Sequence, residues 1–551
     1  MTLLILIYTD LLSHIVGPSR HHTRLARALR TIVFLCLSLP WLIGCSTAFA
    51  GSFEEGLAAF EKKNYPAALY WYRLAAVKGD LAAQNNLGAM YQNGQGTPQN
   101  NSEALRWYKI AAVQGYAAAQ DNLGLMYQEG RGVLQDFVEA VRWYKLSAAQ
   151  GYTLAQSRLG VMYQEGWGVS QDFFEAVRLY RLAALRGNVS AQHNLGGLYL
   201  SGLGTEKNEA EALRWFKAAA AQGHARAQFN VGTFYFYGQV VTQDYATAYA
   251  WYRLAAEQNE IQAQNSIAVL YQSGRGVTQN FSEAFKWFVR SAEQGSAIAQ
   301  DNLGITYELG YGVAQDYEQA RVWYKRASDR GYASAQFHLG SLYFFGRGVE
   351  QDFSRAFSLF EMAANQGHID AQVSLGAAYY AAEGVEKDYV QALRWFTLAA
   401  KQGDSRAQNN LGVMYQNAQG VEQDFAQALT WYRLAATQGN SDAQLNLGIT
   451  FDQGFGVPQD LLEANKWYRL ASEQGNASAQ ANLGVQYANG RGVSKDISLA
   501  HMWLNLAAAQ GQSTAATNRD LLAKTMDAEK ISGAQRLANK CKENRYKACH
   551  D

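Results

Sequence analysis

An alanine–glutamine pair recurs along the chain at a fixed spacing, and this repeat constrains the fold more than any other feature of the sequence. Its glutamine stands at positions 84, 120, 156, 192, 228, 264, 300, 336, 372, 408, 444 and 480, always 36 residues apart. A constant period of this size is typical of a solenoid, in which each repeat buries its apolar face against its neighbours. We therefore interpret the 551 residues as an array rather than as several globular domains.

Each repeat predicts a pair of helices joined by a turn that contains glycine. In the unit over residues 117–152, apolar residues recur at the spacing of a helix face in two separate stretches. The first stripe is formed by Ala119, Leu123 and Tyr127, and the second by Ala140, Trp143, Tyr144 and Ala148. The sequence therefore predicts an all-α fold of stacked antiparallel helix pairs.

The ends of the second helix carry capping signals. Asp136 stands at the predicted N-cap and Glu139 follows three residues later, which is the spacing of a capping box. Every repeat has Asp or Asn at this cap position. The helix is expected to end at Gly151, whose equivalent is Gly in every full repeat except one; there it is Asn259, which also tolerates the left-handed conformation.

The residues shared by the repeats resemble the Sel-1-like repeat (SLR), a relative of the tetratricopeptide repeat with a longer loop between its helices. The shared pattern reads A-Q-x-N-L-G-x-x-Y-x-x-G-x-G-V-x-Q-D-x-x-x-A-x-x-W-Y-x-x-A-A-x-Q-G, and twelve copies cover residues 81–512. The resemblance implies a right-handed superhelical solenoid. We expect residues 51–80 to form an N-terminal capping helix pair and residues 513–551 to form C-terminal capping helices.

A few positions depart from this pattern. Eleven of the 13 tryptophans stand at one repeat position, and Leu179 and Leu359 replace the tryptophan there. This column lies on the apolar stripe of the second helix, so we interpret it as core rather than as a stacking surface for sugars. Val240, Ala382 and Ala418 replace glycines of the turn, and the turn geometry is not predicted at these three positions.

The first fifty residues resemble a secretory signal peptide. A basic stretch precedes an apolar run at 31–44, which is shorter than the roughly 20 residues that span a bilayer. Two processing sites stay open: cleavage after Ala50, or cleavage before Cys45 in a stretch that resembles a bacterial lipobox, with a lipid on this cysteine. We expect a periplasmic or secreted protein without a transmembrane span in its mature chain, or an outer-membrane lipoprotein in the second case.

A cysteine pair ends the chain. After cleavage at Ala50, only Cys541 and Cys549 remain, and an exported compartment favours a disulfide between them. This bond would hold the last helix in place. The alternative is a zinc site formed by the two cysteines and His550, which lacks a fourth ligand. We expect neither a metal nor a cofactor.

The sequence contains no recognisable catalytic arrangement. The run G-R-G-V-x-Q-D follows a helix rather than a strand and lacks the Gly-Lys-Ser/Thr ending of a phosphate loop, so we interpret it as a turn. No His-Glu-x-x-His or G-x-S-x-G motif is present. The 48 basic and 47 acidic residues leave no electrostatic footprint for nucleic acid. We predict a non-enzymatic protein with no nucleic-acid partner.

The first helix of each repeat has a face outside its apolar stripe, and the resemblance implies that this face lines a concave groove. The residue before the repeat leucine is asparagine in eight of twelve repeats: Asn86, Asn122, Asn194, Asn230, Asn302, Asn410, Asn446 and Asn482. A row of amides is able to bind an extended peptide backbone. The alternative is that these amides bond neighbouring repeats and hold the stack together.

Aromatic residues occupy the same face in the central repeats. Where outer repeats have Asn, Asp or Gln, these repeats have Phe229, Phe236, Tyr237, Phe337, Phe344, Phe345 and Tyr380. Clustered apolar surface marks interaction sites, so we expect Phe229, Phe236, Phe337 and Phe344 to be solvent-accessible. The alternative is that the rings fill gaps against the adjoining helix.

These features predict an exported, non-enzymatic scaffold that binds a protein or peptide partner in its concave groove. The family resemblance implies a role in an envelope or host-interaction complex. A carbohydrate-associated envelope protein is the alternative, which requires exposed central aromatics flanked by hydrogen-bonding side chains. A cell-wall hydrolase would need an acid or nucleophile with a displaced pKa, and the sequence offers no candidate.

Overall fold

The computed structural model describes residues 40–547 and 549, and the side chains of residues 51–547 and 549. Within this part of the chain there are 28 helices and no strands, which confirms the all-α prediction. Most of the predicted signal peptide, the side chain of Cys45 and His550 lie outside the described residues. Among the helices that are described, none has the length and hydrophobicity to cross a membrane.

The chain divides into two compact units, residues 1–258 and 259–551. The helices of the first unit are α1 (Pro40–Glu61), α2 (Tyr65–Val77), α3 (Leu81–Asn93), α4 (Asn101–Val113), α5 (Ala117–Glu129), α6 (Phe137–Ala149), α7 (Thr153–Glu165), α8 (Phe173–Leu185), α9 (Val189–Ser201), α10 (Glu209–Ala221), α11 (Ala225–Tyr237) and α12 (Tyr245–Glu257).

The helices of the second unit continue the same alternation, in which each odd-numbered helix is the first of a pair. They are α13 (Ile261–Ser273), α14 (Phe281–Glu293), α15 (Ala297–Leu309), α16 (Tyr317–Ser328), α17 (Ala333–Phe345), α18 (Phe353–Asn365), α19 (Ile369–Ala381), α20 (Tyr389–Lys401), α21 (Ser405–Gln416), α22 (Phe425–Thr437), α23 (Ser441–Gln453), α24 (Leu461–Ser472), α25 (Ala477–Asn489), α26 (Ile497–Ala509), α27 (Ser513–Ala523) and α28 (Ala528–Glu543).

The two helices of a repeat pack closely because a glycine of the first faces an aromatic ring of the second. In α5 this residue is Gly124, and a Cβ built there would lie 2.7 Å from Cε1 of Tyr144 in α6. Both Tyr144 and the alanine stripe beside it are buried. Four of the eleven tryptophans of the repeat column are buried, as the core interpretation predicts, and the other seven are half-buried.

The N-cap at Asp136 and the left-handed residues after the second helices are confirmed, whereas the carboxylate of Glu139 pairs with Arg142 and does not complete a capping box. The Asp136 carboxylate accepts hydrogen bonds from the backbone N–H groups of Val138 and Glu139, so it satisfies two donors at the start of α6. The left-handed residues that follow the second helices include Gly151, at φ 81°, and Asn259, at φ 64°. Asparagine therefore adopts the conformation that glycine has in the other repeats.

The turn keeps its shape where glycine is replaced. Val240, Ala382 and Ala418 have φ values of 51°, 62° and 54°, in the left-handed region that glycine occupies elsewhere. These residues are held there by the helices on both sides, although the conformation is unfavourable for a side chain with a Cβ and more so for a β-branched one.

We therefore expect Val240→Gly to stabilise the first unit by about 1 kcal/mol, because relief of the left-handed strain exceeds the entropy that glycine adds to the unfolded chain. Chemical denaturation followed by circular dichroism measures this gain. Gly238→Val, at φ 70° in the same turn, is the matched opposite and should destabilise. A lower stability of Val240→Gly would contradict the argument.

The C-terminal helices close the second unit over a buried cluster. The cluster contains Trp503 of α26, Tyr468 and Tyr487 of the two preceding helices, and Ala538 and Cys541 of α28. The Cα atoms of Cys541 and Cys549 are 4.9 Å apart, a separation suited to the predicted disulfide.

Candidate functional site

The asparagine column lies between successive first helices. Three of its members donate from Nδ2 to the amide oxygen of the preceding repeat: Asn122 to Asn85 at 2.9 Å, Asn302 to Asn265 at 3.0 Å, and Asn446 to Asn409 at 2.9 Å. Asn230 lies 3.4 Å from Nε2 of His193 in the same arrangement. All eight column residues, including Asn86, Asn194, Asn410 and Asn482, are half-buried. For the bonded pairs, this geometry favours the stacking interpretation over a peptide-binding ladder.

In two repeats, charged side chains occupy the positions at which the amides of successive first helices are bonded elsewhere. Arg158 pairs with Asp121, whose side chain is buried, and His338 Nδ1 lies 2.8 Å from Asp301 Oδ1. Burial raises the pKa of Asp121, and the guanidinium of Arg158 opposes this shift. Each carboxylate has a basic partner in the next repeat, so these two pairs join successive first helices.

The aromatic residues of the first unit form one cluster, which we call the α11 cluster: Phe229, Phe236 and Tyr237. Phe229 stacks on Tyr252 with ring centroids 5.5 Å apart, and Phe236 contacts Tyr245 edge-on at 5.3 Å. Both phenylalanines are half-buried by these contacts. Tyr237 is 64% exposed and lies 4.9 Å from Phe236, so it is the solvent-facing ring of this cluster.

The second unit has a similar cluster, the α17 cluster, which consists of Phe337, Phe344 and Phe345. Phe337 and Phe344 are half-buried on Phe360, at 5.5 and 6.0 Å. Phe345 is 59% exposed and packs edge-on against Phe344 at 5.0 Å. Tyr380, in the next repeat, is half-buried against Tyr389. The four phenylalanines that were expected to be solvent-accessible are thus half-buried. The exposed rings are the neighbouring Tyr237 and Phe345.

Phe344 and Tyr380 stand at the position that accepts a hydrogen bond from the second helix in other repeats. In outer repeats a second-helix tyrosine donates its hydroxyl to the residue at this position, as Tyr144 does to Gln128 at 2.7 Å. The tyrosine becomes Phe360 or Phe396 in two central repeats, and the acceptor becomes Phe344 or Tyr380. In these two repeats the phenylalanine has no hydroxyl to satisfy, so no acceptor is needed. The α11 cluster differs, because Tyr252 is kept opposite Phe236 and its hydroxyl donates to Thr233 at 3.3 Å.

The repeat glutamine forms a buried hydrogen-bond relay, which the periodicity alone did not predict. Gln120 donates from Nε2 to the carbonyl of Ala112 at 3.1 Å, and its Oε1 accepts from Nε2 of Gln150 at 2.8 Å. The relay therefore joins the end of one repeat to both helices of the next. The same pair of bonds recurs at Gln84, Gln192, Gln228, Gln372, Gln408, Gln444 and Gln480.

The relay is incomplete in two repeats. Arg186 and Arg330 stand where the donating glutamine is found elsewhere, and each donates instead to a glycine carbonyl of the preceding repeat. As a result, Oε1 of Gln156 and Oε1 of Gln300 are buried without a hydrogen-bond partner among the described residues. A buried acceptor without a donor is energetically costly.

The described residues include no group of three or more His, Cys, Asp and Glu side chains placed to hold a metal ion. The zinc alternative at the C-terminus depends on His550, which lies outside these residues.

The Sel1 repeat profile matches the chain thirteen times, over residues 50–80, 81–116, 117–152, 153–188, 189–224, 225–260, 261–296, 297–332, 333–368, 369–404, 405–440, 441–476 and 477–512. A protective antigen present in uropathogenic Escherichia coli strains, whose crystal structure displays an SLR fold, is 37% identical to this chain. The match covers 81% of this chain and 96% of the antigen, with a TM-score of 0.65.

A Sel1 repeat protein from Oxalobacter formigenes is 32% identical over 44% of this chain and 96% of its own, with a TM-score of 0.41. None of the curated proteins matches the chain.

Proposed function

Because the chain belongs to the Sel1 repeat family, whose solenoids are typically protein-interaction scaffolds, we propose that it is an exported, non-enzymatic scaffold that binds a protein or peptide partner. The partner binds to the free face of the first helices. The observation that carries this proposal is the exposure of two aromatic rings, Tyr237 and Phe345, each at the last residue of a first helix.

The surroundings of these rings suit them to be binding anchors. Each lies edge-on against a half-buried phenylalanine, so little conformational freedom is lost when a partner covers it. Interface anchors are typically large side chains of this kind that lie on a rigid support. The equivalent residue is polar in most other repeats, for example Asn93, Glu129 and Ser273, so an aromatic ring is not required by the fold at this position.

The α17 cluster adds a cation beside its ring. The guanidinium carbon of Arg347 lies 5.0 Å from the centroid of Phe345, and the same side chain pairs with Glu308 at 3.2 Å. This combination offers a partner an apolar contact next to a hydrogen-bond donor. The closeness of Cys541 and Cys549 supports the exported location, since such pairs form disulfides in oxidising compartments.

Affinity capture from envelope and extracellular fractions tests this proposal with the chain from residue 51 onward. We expect Tyr237→Ala and Phe345→Ala together to reduce capture of the specific partner at least tenfold, because each anchor contributes a kcal/mol or more. Phe174→Ala is the matched control: its ring is 77% exposed but lies on a second helix, and capture should be unchanged.

Circular dichroism establishes that both variants are folded. Equal capture by the double variant and the unchanged chain would contradict the proposal. Retention of envelope polysaccharide, without a protein, would favour the carbohydrate-associated alternative.

A further inference from the structure

The repeat over residues 153–188 combines a departure in the tryptophan column with a departure in the glutamine relay. Leu179 stands in the tryptophan column, and Arg186 stands in place of the glutamine that completes the relay. Elsewhere the departures occur singly: the repeat with Leu359 has Gln366, and the repeat with Arg330 has Trp323. The combination opens a cavity of about 470 Å³ that is lined by Leu179, Arg186 and Gln156.

The cavity adjoins the repeat position at which neighbouring repeats have a tryptophan, and the side chain of Leu179 that lines it there is only 2% exposed. Trp143 belongs to the same core cluster as Ala112 of the preceding second helix, and Trp215 belongs to the same cluster as Ala184. The equivalent alanine here is Ala148, which lines the cavity. Ala148 is 9% exposed, whereas Ala112 and Ala184 are each 1% exposed, because no ring covers it.

An arginine is already in position above the absent ring. The guanidinium groups of Arg142 and Arg214 lie 5.7 and 5.3 Å from the rings of Trp143 and Trp215, the residues that follow them. Arg178 is their equivalent and lines the cavity, but leucine follows it. An aromatic ring bound in the cavity would therefore gain the cation–π contact that the chain makes elsewhere with its own tryptophan.

The relay leaves an acceptor at the same place. Gln156 is only 4% exposed, and its Nε2 donates to the carbonyl of Ala148. Its Oε1 has no donor among the described residues, because Arg186 bonds to the carbonyl of Gly151. A ligand with an N–H group would satisfy this buried oxygen.

The charges around the cavity favour an acidic ligand. Lys145, Arg178 and Arg186 contribute three positive charges to the lining, and Glu175 contributes one negative charge. Glu175 pairs with Arg178 at 2.6 Å, so the charges of Lys145 and Arg186 remain to attract a carboxylate.

We propose that this cavity binds the tryptophan side chain of an acidic peptide segment in a partner protein. The ring takes the place left by Leu179, below Arg178, and an N–H group of the bound residue donates to Gln156 Oε1. The site is separate from the exposed rings of the α11 and α17 clusters, so it stands independently of the proposed function of those rings.

The probe is the peptide acetyl-Asp-Trp-Glu-amide with a fluorinated indole, followed by fluorine NMR so that the 13 tryptophans of the chain do not interfere. We expect Leu179→Trp to weaken binding at least tenfold, because the chain's own ring then fills the cavity. Arg186→Gln should weaken binding about three- to tenfold, because it supplies the missing donor to Gln156. A peptide with leucine in place of tryptophan should also bind at least tenfold more weakly.

The single-departure repeats provide matched controls. Leu359→Trp and Arg330→Gln make the same substitutions where only one departure exists, and they should leave binding unchanged. Equal binding by Leu179→Trp and the unchanged chain, an equal loss in Leu359→Trp, or no binding by the unchanged chain would overturn the proposal. Circular dichroism verifies folding; if Leu179→Trp fails to fold, undiminished binding by Arg186→Gln overturns the proposal by itself.

Discussion

Replacement of Trp503 by alanine is expected to lower the free energy of unfolding of the second unit by about 3–5 kcal/mol. The side chain is fully buried in the cluster that also contains Tyr468, Tyr487 and Cys541, so its removal leaves a cavity within this cluster. Because each repeat of a solenoid contacts only its neighbours, the loss should fall mainly on α24 to α28.

Hydrogen exchange resolved by peptide measures where the stability is lost, and chemical denaturation measures how much. Trp323→Ala provides the comparison, since Trp323 occupies the same column within the array but is only half-buried. We expect a smaller loss for this variant, confined to its own repeat and the adjoining ones. A uniform increase of exchange across the second unit in Trp503→Ala would contradict the nearest-neighbour argument.

Replacement of Gln120 by leucine is expected to cost about 2–4 kcal/mol. The substitution removes one buried and one half-buried hydrogen bond, and it leaves the carbonyl of Ala112 without its side-chain donor and Nε2 of the exposed Gln150 without this acceptor. Gln156→Leu is the matched variant, because Gln156 makes only the first of these bonds, at 3.4 Å, and its own oxygen is already unsatisfied. We expect Gln156→Leu to cost less by about 1 kcal/mol or more.

Both variants belong to the first unit and have the same change in side-chain chemistry, so the difference in their stabilities isolates the relay. Urea denaturation of the two proteins under the same conditions measures this difference. If the two losses are equal, the bond between Gln150 and Gln120 contributes no net stability.

The fold was predictable because the same pattern of two amphipathic helices and a glycine turn recurs twelve times in the sequence. The cap at Asp136 and the left-handed Asn259 follow from local chemistry that a sequence records directly. The turn at Val240 did not follow, since its geometry is imposed by the packed helices around it and not by the residue itself. At such a position, tertiary packing determines the backbone conformation against the local preference of the residue.

The candidate site was predictable only in outline. The aromatic residues were recognised as unusual, but a helical wheel does not distinguish Phe344, which rests on Phe360, from Phe345, which faces solvent. The asparagine column was assigned two opposite roles because a single sequence does not show which amides meet. Its partner, the residue immediately after the repeat glutamine, lies 37 positions earlier and belongs to another repeat.

The glutamine relay also determines how such a chain is able to change its length. All its bonds join positions separated by 8 or 30 residues, so removal of the 36 residues 117–152 would give every remaining glutamine an equivalent partner from the next repeat. Removal of 35 residues would misplace every apolar stripe and every donor beyond the junction. Gene duplication and unequal recombination are therefore restricted to whole repeats, and arrays of different lengths are expected to descend from one another by steps of 36 residues.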